Sequence, residues 1–89
     1  MTNSSISVRK TELKPARTEC DAKSVIDDPE LCRKAAKMLY KQYDQEVDYE
    51  SYPRGCYFNP DIDSVYWNEH PIGKAHPKAE PICYTEKRE

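Results

Sequence analysis

The sequence predicts a small disulfide-rich domain of the α+β class, in which one N-terminal helix packs on a short antiparallel hairpin or three-stranded sheet. Three observations favour this fold class. One segment has the apolar spacing of an amphipathic helix, two short aromatic-rich runs flank a loop, and four cysteines are spread along a chain of 89 residues. A chain this short buries a limited fraction of its surface, so cross-links have to supplement its core.

The composition supports the same conclusion. The mean hydropathy is -1.00 and 34% of the residues are charged, which is typical of disorder unless something reinforces the interior. The four cysteines include no C-x2-C pair, so their spacing favours two disulfides over a zinc site. Disulfides imply an oxidising compartment, which is either secreted and extracellular or the lumen of an organelle such as a plastid. The first residues form no apolar signal region, and no run has the length of a membrane span.

The chain divides into three parts by its hydrophobic pattern. Residues 1–19 have neither hydrophobic period and are expected to form an extended or disordered N-terminal arm. Residues 20–84 are expected to form the disulfide-stabilised α+β module, and residues 85–89 a tail. Within the arm, Val8 and Leu13 are the apolar side chains that we expect to contact a partner.

The helix is predicted over residues 29–43. Asp28 is a suitable N-cap, and Pro29 suits the first helical position because the amide it lacks has no partner there. The predicted buried face repeats at the helical spacing and consists of Cys32, Ala35, Ala36, Leu39 and Tyr43. The opposite face carries cations that are either simply solvated or attracted to an acidic surface, namely Arg33, Lys34, Lys37 and Lys41.

The hairpin is predicted from two short strands, residues 56–59 and 65–68, joined by a loop over residues 60–64. Residues 44–51 are acidic and are predicted to be loop, residues 52–55 read as a turn, and residues 70–80 as an irregular loop. Residues 81–84 return as a third strand or extended piece. By alternation, one face is predicted to receive the helix and consists of Cys56, Phe58, Val65 and Trp67.

The other face of the hairpin presents Tyr57 and Tyr66, which we expect to be exposed and to bind a partner. The chain contains seven tyrosines, more than so small an interior needs, and amphipathic rings are favoured at interfaces. The alternative is that some of these rings only thicken a thin core.

No catalytic or cofactor-binding arrangement is predicted. Asp61 and Asp63 are read as turn residues rather than calcium ligands, because the longer ligand series of a calcium loop is missing. His70 and His76 lack metal-ligand spacing and are read as surface histidines, so no metal site is expected. No serine occupies a nucleophile turn, and the cysteines are assigned to bridges. Residues 44–70 contain seven acids and one arginine, which argues against nucleic acid as a partner.

Motifs follow one another in a distinctive order between residues 20 and 83, namely Cys20 and the segments at residues 31–36, 52–57, 65–73 and 81–83. Together they resemble a small cysteine-rich domain that is abundant in algal and other protist proteins, especially dinoflagellates and haptophytes. The resemblance implies a module without known catalytic activity that occurs in large, often secreted or membrane-associated proteins. This chain departs from the family pattern where Trp67 stands in place of the usual Phe and Ile72 in place of the common Thr.

The four cysteines allow three pairings. The proposed packing favours Cys32 with Cys56, joining the helix to the hairpin, and Cys20 with Cys83, joining the two ends of the domain.

The sequence thus predicts a non-enzymatic structural or interaction module without a cofactor, an accessory subunit that docks on a larger protein assembly. One alternative is a peripheral lumenal subunit of an algal photosynthetic membrane complex. Another is a carbohydrate-binding domain that uses Tyr57, Tyr66 and Trp67, with a glycan as its partner.

Overall fold

The computed structural model describes residues 10–85 of the chain. It has an α+β fold with a five-stranded mixed sheet in the order β1-β5-β3-β4-β2, which confirms the predicted fold class. A short 3-10 helix at Ala22–Ser24 precedes the α-helix. The elements are β1 (Lys10–Leu13), α1 (Pro29–Met38), β2 (Tyr43–Val47), β3 (Pro53–Asn59), β4 (Ser64–Gly73) and β5 (Glu80–Thr85).

The centre of the sheet is the antiparallel hairpin β3–β4, as predicted, but both strands are longer than expected. Their pairing runs from Asn59 opposite Ser64 to Pro53 opposite Gly73, with a register shift between Pro53 and Gly55. Gly55 has a φ of 89°, and a Cβ there would lie 2.8 Å from the Val25 side chain. Most of the segment predicted as a turn is therefore the irregular start of β3, and the first four residues of the segment predicted as an irregular loop, residues 70–73, continue β4.

Helix α1 begins as predicted and ends earlier. The Asp28 carboxylate accepts a hydrogen bond from the Glu30 amide at 2.8 Å, and Pro29 occupies the first turn. The helix stops at Met38 because Tyr40 adopts a left-handed conformation with a φ of 59°. Tyr43, which was predicted to be the last helical residue, is instead the first residue of β2.

The prediction of a loop over residues 44–51 is wrong in its first half. Residues 43–47 form β2, an edge strand that pairs in parallel with β4. Within β2 only Val47 is buried, so the sequence lacks the alternation of buried and exposed side chains that indicates a strand. Backbone pairing with β4 holds these residues in the sheet.

The main core lies between α1 and one face of the sheet. The prediction that α1 packs on this face of the hairpin is confirmed, and the half-buried Trp67 packs against the same core and donates its indole N–H to the Ile26 carbonyl at 2.9 Å. The buried members of the core are Ile26, Cys32, Ala35, Ala36, Cys56, Phe58, Val65 and Ile82.

Both predicted disulfides are confirmed. Cys32 is bonded to Cys56 and joins α1 to β3, while Cys20 is bonded to Cys83 and joins the start of the module to β5. The two bridges span sequence separations of 24 and 63 residues, so together they restrict most of the unfolded chain.

Part of the predicted arm belongs to the sheet. Residues Lys10–Leu13 form β1, which pairs antiparallel with β5, and the Lys14 amide donates to the Pro81 carbonyl at 2.8 Å. Leu13 is half-buried and packs against the main core rather than standing free for a partner. Val8 lies outside the described residues.

Candidate functional site

The face of the hairpin opposite α1 was predicted to expose Tyr57 and Tyr66, and this is wrong for Tyr57. Tyr57 is only 1% exposed because a second, smaller core covers it, formed with Val47 of β2 and Ala79 of the segment before β5. Tyr66 is half-buried and packs against the same cluster. Both tyrosines do lie on the predicted face, but that face is an interior.

Aromatic rings form a row through this second core. Ring centroids are separated by 5.5 Å between Tyr49 and Tyr52, 5.2 Å between Tyr52 and Tyr57, and 5.6 Å between Tyr57 and Tyr66. The His76 ring stacks on Tyr52 at 3.9 Å, so this histidine is part of the packing. Burial, and then the neighbouring tyrosines, raise the pKa of Tyr57 well above its ordinary value.

The two ends of the row differ in their surroundings. The Tyr66 hydroxyl donates to the Asp44 carboxylate at 3.3 Å, and burial together with that negative charge raises the pKa of Tyr66. At the other end Tyr49 is 46% exposed. The proposed sugar platform of Tyr57, Tyr66 and Trp67 is not formed, because Tyr57 is buried and Trp67 packs on the opposite core.

Asn68 organises the turn before β3. Its side chain is fully buried, and its Oδ1 accepts hydrogen bonds from the Tyr49 amide at 2.8 Å and the His70 amide at 3.3 Å. Its Nδ2 donates to the carbonyls of Tyr49, Tyr52 and Pro53 at 2.8, 3.0 and 3.1 Å. One amide side chain therefore replaces the backbone partners that this irregular segment lacks.

His70 and Gly73 complete the same scaffold. The Nδ1 atom of His70 accepts hydrogen bonds from the Ile72 amide at 3.1 Å and the Gly73 amide at 2.9 Å. Gly73 has a φ of 65°, and a Cβ there would lie 2.5 Å from the Tyr52 carbonyl oxygen and 2.6 Å from the Arg54 amide nitrogen. Asn68, His70 and Gly73 are thus used to shape the backbone.

The acids of the hairpin loop are also used structurally. The Asn59 side chain accepts a hydrogen bond from the Asp61 amide at 3.0 Å, Asp63 has a φ of 55°, and the Asp61 carboxylate lies 3.1 Å from the Lys78 amine. Asp61 and Asp63 therefore occupy the turn positions that were predicted for them.

Three of the six large apolar side chains that are exposed among residues 10–85 lie on α1 or just after it, and the other three are Tyr49, Ile62 and Ile72. Leu31 is 37% exposed, Met38 is 52% exposed and Tyr40 is 96% exposed. Leu31 and Met38 are seven residues apart, so they lie on one side of the helix. This surface was missed in the sequence, although that seven-residue spacing outside the predicted buried face is a signal that could have revealed it.

Charges of opposite sign occupy neighbouring surfaces without pairing. Among residues 10–85, the ion pairs are Lys14 with Glu12 at 3.6 Å and Lys78 with Asp61 at 3.1 Å, and neither involves α1 or β2. The Arg33 guanidinium lies 5.1 Å from the centre of the Tyr43 ring, so the basic helix and the acidic strand are adjacent. The acidic residues of β2 and the following turn are Asp44, Glu46, Asp48 and Glu50.

Two shallow surface depressions flank Arg54, with volumes of about 220 and 200 Å³. Both contain Val25, the first also contains Glu19, and the second contains Asp27 and Glu69. The described residues that line them include no histidine and no hydroxyl group. Their ionisable side chains are the carboxylates of Glu19, Asp27 and Glu69 and the guanidinium of Arg54.

These features define the class of the protein as a small α+β domain held by two disulfides, with two cores and a charge-segregated surface. Comparison of the chain with known protein families, with curated proteins and with solved structures gives no match. Within residues 10–85, no three His, Cys, Asp or Glu side chains are grouped so that they can hold a metal ion. No helix in this part of the chain is long and apolar enough to cross a membrane.

Proposed function

We propose that this domain is a non-enzymatic protein-interaction module, an accessory subunit that docks on a larger protein assembly in an oxidising compartment. The observation that carries the proposal is the segregation of charge between α1 and β2. Two adjacent elements of one small domain carry opposite charge, and none of the ion pairs in the described part of the chain joins them.

Such a distribution favours association with a partner. Exposed ion pairs contribute only about 0–1 kcal/mol to folding, so leaving these charges unpaired costs the domain little. A surface with a basic area beside an acidic one produces a field that orients a partner of complementary pattern and speeds its association. The basic members on α1 are Arg33, Lys34 and Lys37, and each is exposed.

The use of the motif residues supports a role in binding rather than catalysis. Asn68 and Gly73 contact backbone groups of the turn before β3, and the His70 side chain accepts hydrogen bonds from amides at the end of β4. The polar residues that stand out in the sequence therefore stabilise a scaffold, whereas the basic side chains of α1 are exposed and have no such role.

The two disulfides are consistent with an oxidising compartment. Among oxidising compartments, the resemblance to algal and protist modules supports either secretion from the cell or a location in a plastid lumen. A peripheral lumenal subunit of a photosynthetic membrane complex is one specific form of this proposal, and the identity of the captured partner distinguishes it from an extracellular assembly.

The test is affinity capture from the native source with a charge-reversed helix. The variant Lys34→Glu/Lys37→Glu reverses the basic face, and Lys23→Glu/Lys74→Glu makes the same change in net charge at other exposed positions. We expect the unaltered chain and the control to retain a defined set of partners in mass spectrometry and the helix variant to lose them. Equal capture by all three proteins would contradict the proposal.

A further inference from the structure

We propose that the end of α1 binds an acidic segment of the partner protein, with Tyr40 as the aromatic anchor. This inference rests on the proposed function and specifies the docking surface and the chemistry of what it binds. The surface, called here the helix-end patch, consists of Leu31, Lys34, Lys37, Met38 and Tyr40.

Tyr40 occupies a backbone position that normally belongs to glycine. The Tyr40 amide donates to the Lys37 carbonyl at 3.1 Å and the Lys41 amide to the Ala36 carbonyl at 2.8 Å, which is the hydrogen-bond pattern of a helix terminated by a left-handed residue. The φ of 59° is disfavoured for a bulky side chain with a Cβ. A tyrosine therefore stands where glycine would be more stable.

The Tyr40 side chain is 96% exposed, so burial within the domain does not offset this strain. A strained residue with no packing role is a sign of function, because strain is retained where it serves binding. Tyrosine is also among the residues that contribute most to binding when they are buried in an interface. The position, the strain and the exposure together indicate a residue kept for contact with another molecule.

The rest of the helix-end patch provides an apolar margin and positive charge. Met38, 52% exposed, is the last residue of α1, two positions before Tyr40, and Leu31 lies on the same side of the helix one heptad earlier. Lys34 is placed between Leu31 and Met38, and Lys37 is in the last turn. An aromatic and apolar centre bordered by lysines is complementary to a segment that combines acidic and apolar side chains.

A protein segment fits this surface better than an anionic membrane does. The Tyr43 ring lies beneath Arg33 of α1, so the acidic β2 is directly beside the helix. The charge of Glu46 acts on the Tyr43 ring on this side of the sheet, so Glu46 would repel a flat anionic surface that approached α1, whereas the Asp44 carboxylate is bonded to Tyr66 on the opposite face. A protein can place an acidic segment against the helix alone and so avoid this repulsion.

Site-specific photo-crosslinking tests the inference. Tyr40 is replaced by the photoreactive analogue p-benzoylphenylalanine in the full chain, and the same analogue replaces Ile62, which is 56% exposed in the hairpin loop, as the matched control. After irradiation in native extract, the cross-linked segment is mapped by mass spectrometry. We expect an acid-rich segment of another protein to be joined to position 40 and not to position 62.

A second measurement tests the anchor itself. Against the partner so identified, Tyr40→Gly should weaken binding by about ten-fold or more, the effect of losing an interface anchor. The thermal midpoint of this variant should not fall, because glycine suits the backbone better. Ile62→Gly should leave the affinity unchanged.

Several results would overturn the inference. In the cross-linking experiment they are a basic or uncharged cross-linked segment, a cross-link to lipid, a cross-link to the acidic residues 44–50 of a second copy, or no product specific to position 40. In the binding measurement the contradicting result is an unchanged affinity of Tyr40→Gly. If the charge-reversed helix variant still loses its partners while Tyr40→Gly binds normally, the inference that Tyr40 is the anchor fails and docking through the basic face of α1 stands. If neither variant affects capture, both proposals fail.

Discussion

Replacing Asn68 by alanine should destabilise this domain more than any comparable change of a polar side chain in the hairpin. The Asn68 side chain is fully buried and contacts five backbone groups, two amides through Oδ1 and three carbonyls through Nδ2. In Asn68→Ala these groups lose their partner inside the protein, where water has little access.

The expected loss follows from the number of bonds. The amide group of an asparagine makes about four hydrogen bonds, because its Nδ2 has two hydrogens to share among the three carbonyls. At about 1 kcal/mol for each bond, Asn68→Ala should lower the free energy of unfolding by about 4 kcal/mol. A loss of this size is a large fraction of the stability of a small domain.

The assay is urea-induced unfolding under oxidising conditions, so that both disulfides remain closed. The matched control is Asn59→Ala, because Asn59 is also buried, at 6% exposure, but its side chain accepts a single hydrogen bond, from the Asp61 amide. We expect the control to lose about 1 kcal/mol. Asn68→Asp, which keeps the acceptor and places a negative charge against the carbonyls, should also be strongly destabilising at neutral pH.

The interpretation of Asn68 fails if the two alanine variants unfold at the same urea concentration with the same slope. It also fails if Asn68→Asp has the stability of the unaltered chain at neutral pH. Either result would mean that the turn before β3 is held by packing and that the side-chain hydrogen bonds are incidental.

Four further changes give distinct outcomes. Gly73→Ala should lower the unfolding free energy by about 2 kcal/mol or more in urea, because its Cβ would lie 2.5 Å from a backbone carbonyl oxygen. Tyr40→Gly should raise the free energy by about 1 kcal/mol in the same assay, because it relieves a left-handed tyrosine. The double variant Cys32→Ala/Cys56→Ala should lose about 3 kcal/mol in calorimetry, since that bridge closes a loop of 24 residues. The raised pKa of Tyr57 means that the folded state binds the hydroxyl proton more tightly than the unfolded state does. The contribution of Tyr57 to the free energy of unfolding should therefore be constant below pH 10 and fall above it, and tyrosinate absorption should appear when the protein unfolds.

Each of these outcomes has a result that would contradict it. Gly73→Ala with unchanged stability would exclude the close backbone contact, and a destabilised Tyr40→Gly would show that the tyrosine ring packs on the domain. A bridge whose removal costs nothing would show that the main core holds α1 without it. A tyrosine that ionises at its ordinary pKa without unfolding would show that the second core is open to water.

The start of the helix and the disulfide pairing could be predicted because they depend on local signals and on alternation. Asp28 and Pro29 mark the helix start through the chemistry of adjacent residues, and the structure shows the expected cap. Alternation placed Cys56 on the strand face beneath the helix, which brought it opposite Cys32.

The end of the helix could not be predicted in the same way. Residues 39–43 contain no glycine or proline, and Tyr40 adopts the left-handed conformation without the residue type that usually signals it. The strand β2 was missed for a related reason. Its side chains are mostly exposed and acidic, and what makes it a strand is parallel pairing with β4, a segment distant in sequence.

The sequence by itself determined the class of the protein, the helix start, the central hairpin and the bridges, because each depends on the composition of the chain or on residues close together in it. Only the tertiary structure decided which surface is free. Tyr57 has the alternation of an exposed residue, but Val47 and Ala79, brought from either side of the hairpin, bury it in a second core. Exposure depends on what the rest of the chain covers, and for this reason the most exposed large apolar side chain among residues 10–85 proved to be Tyr40 at the end of α1.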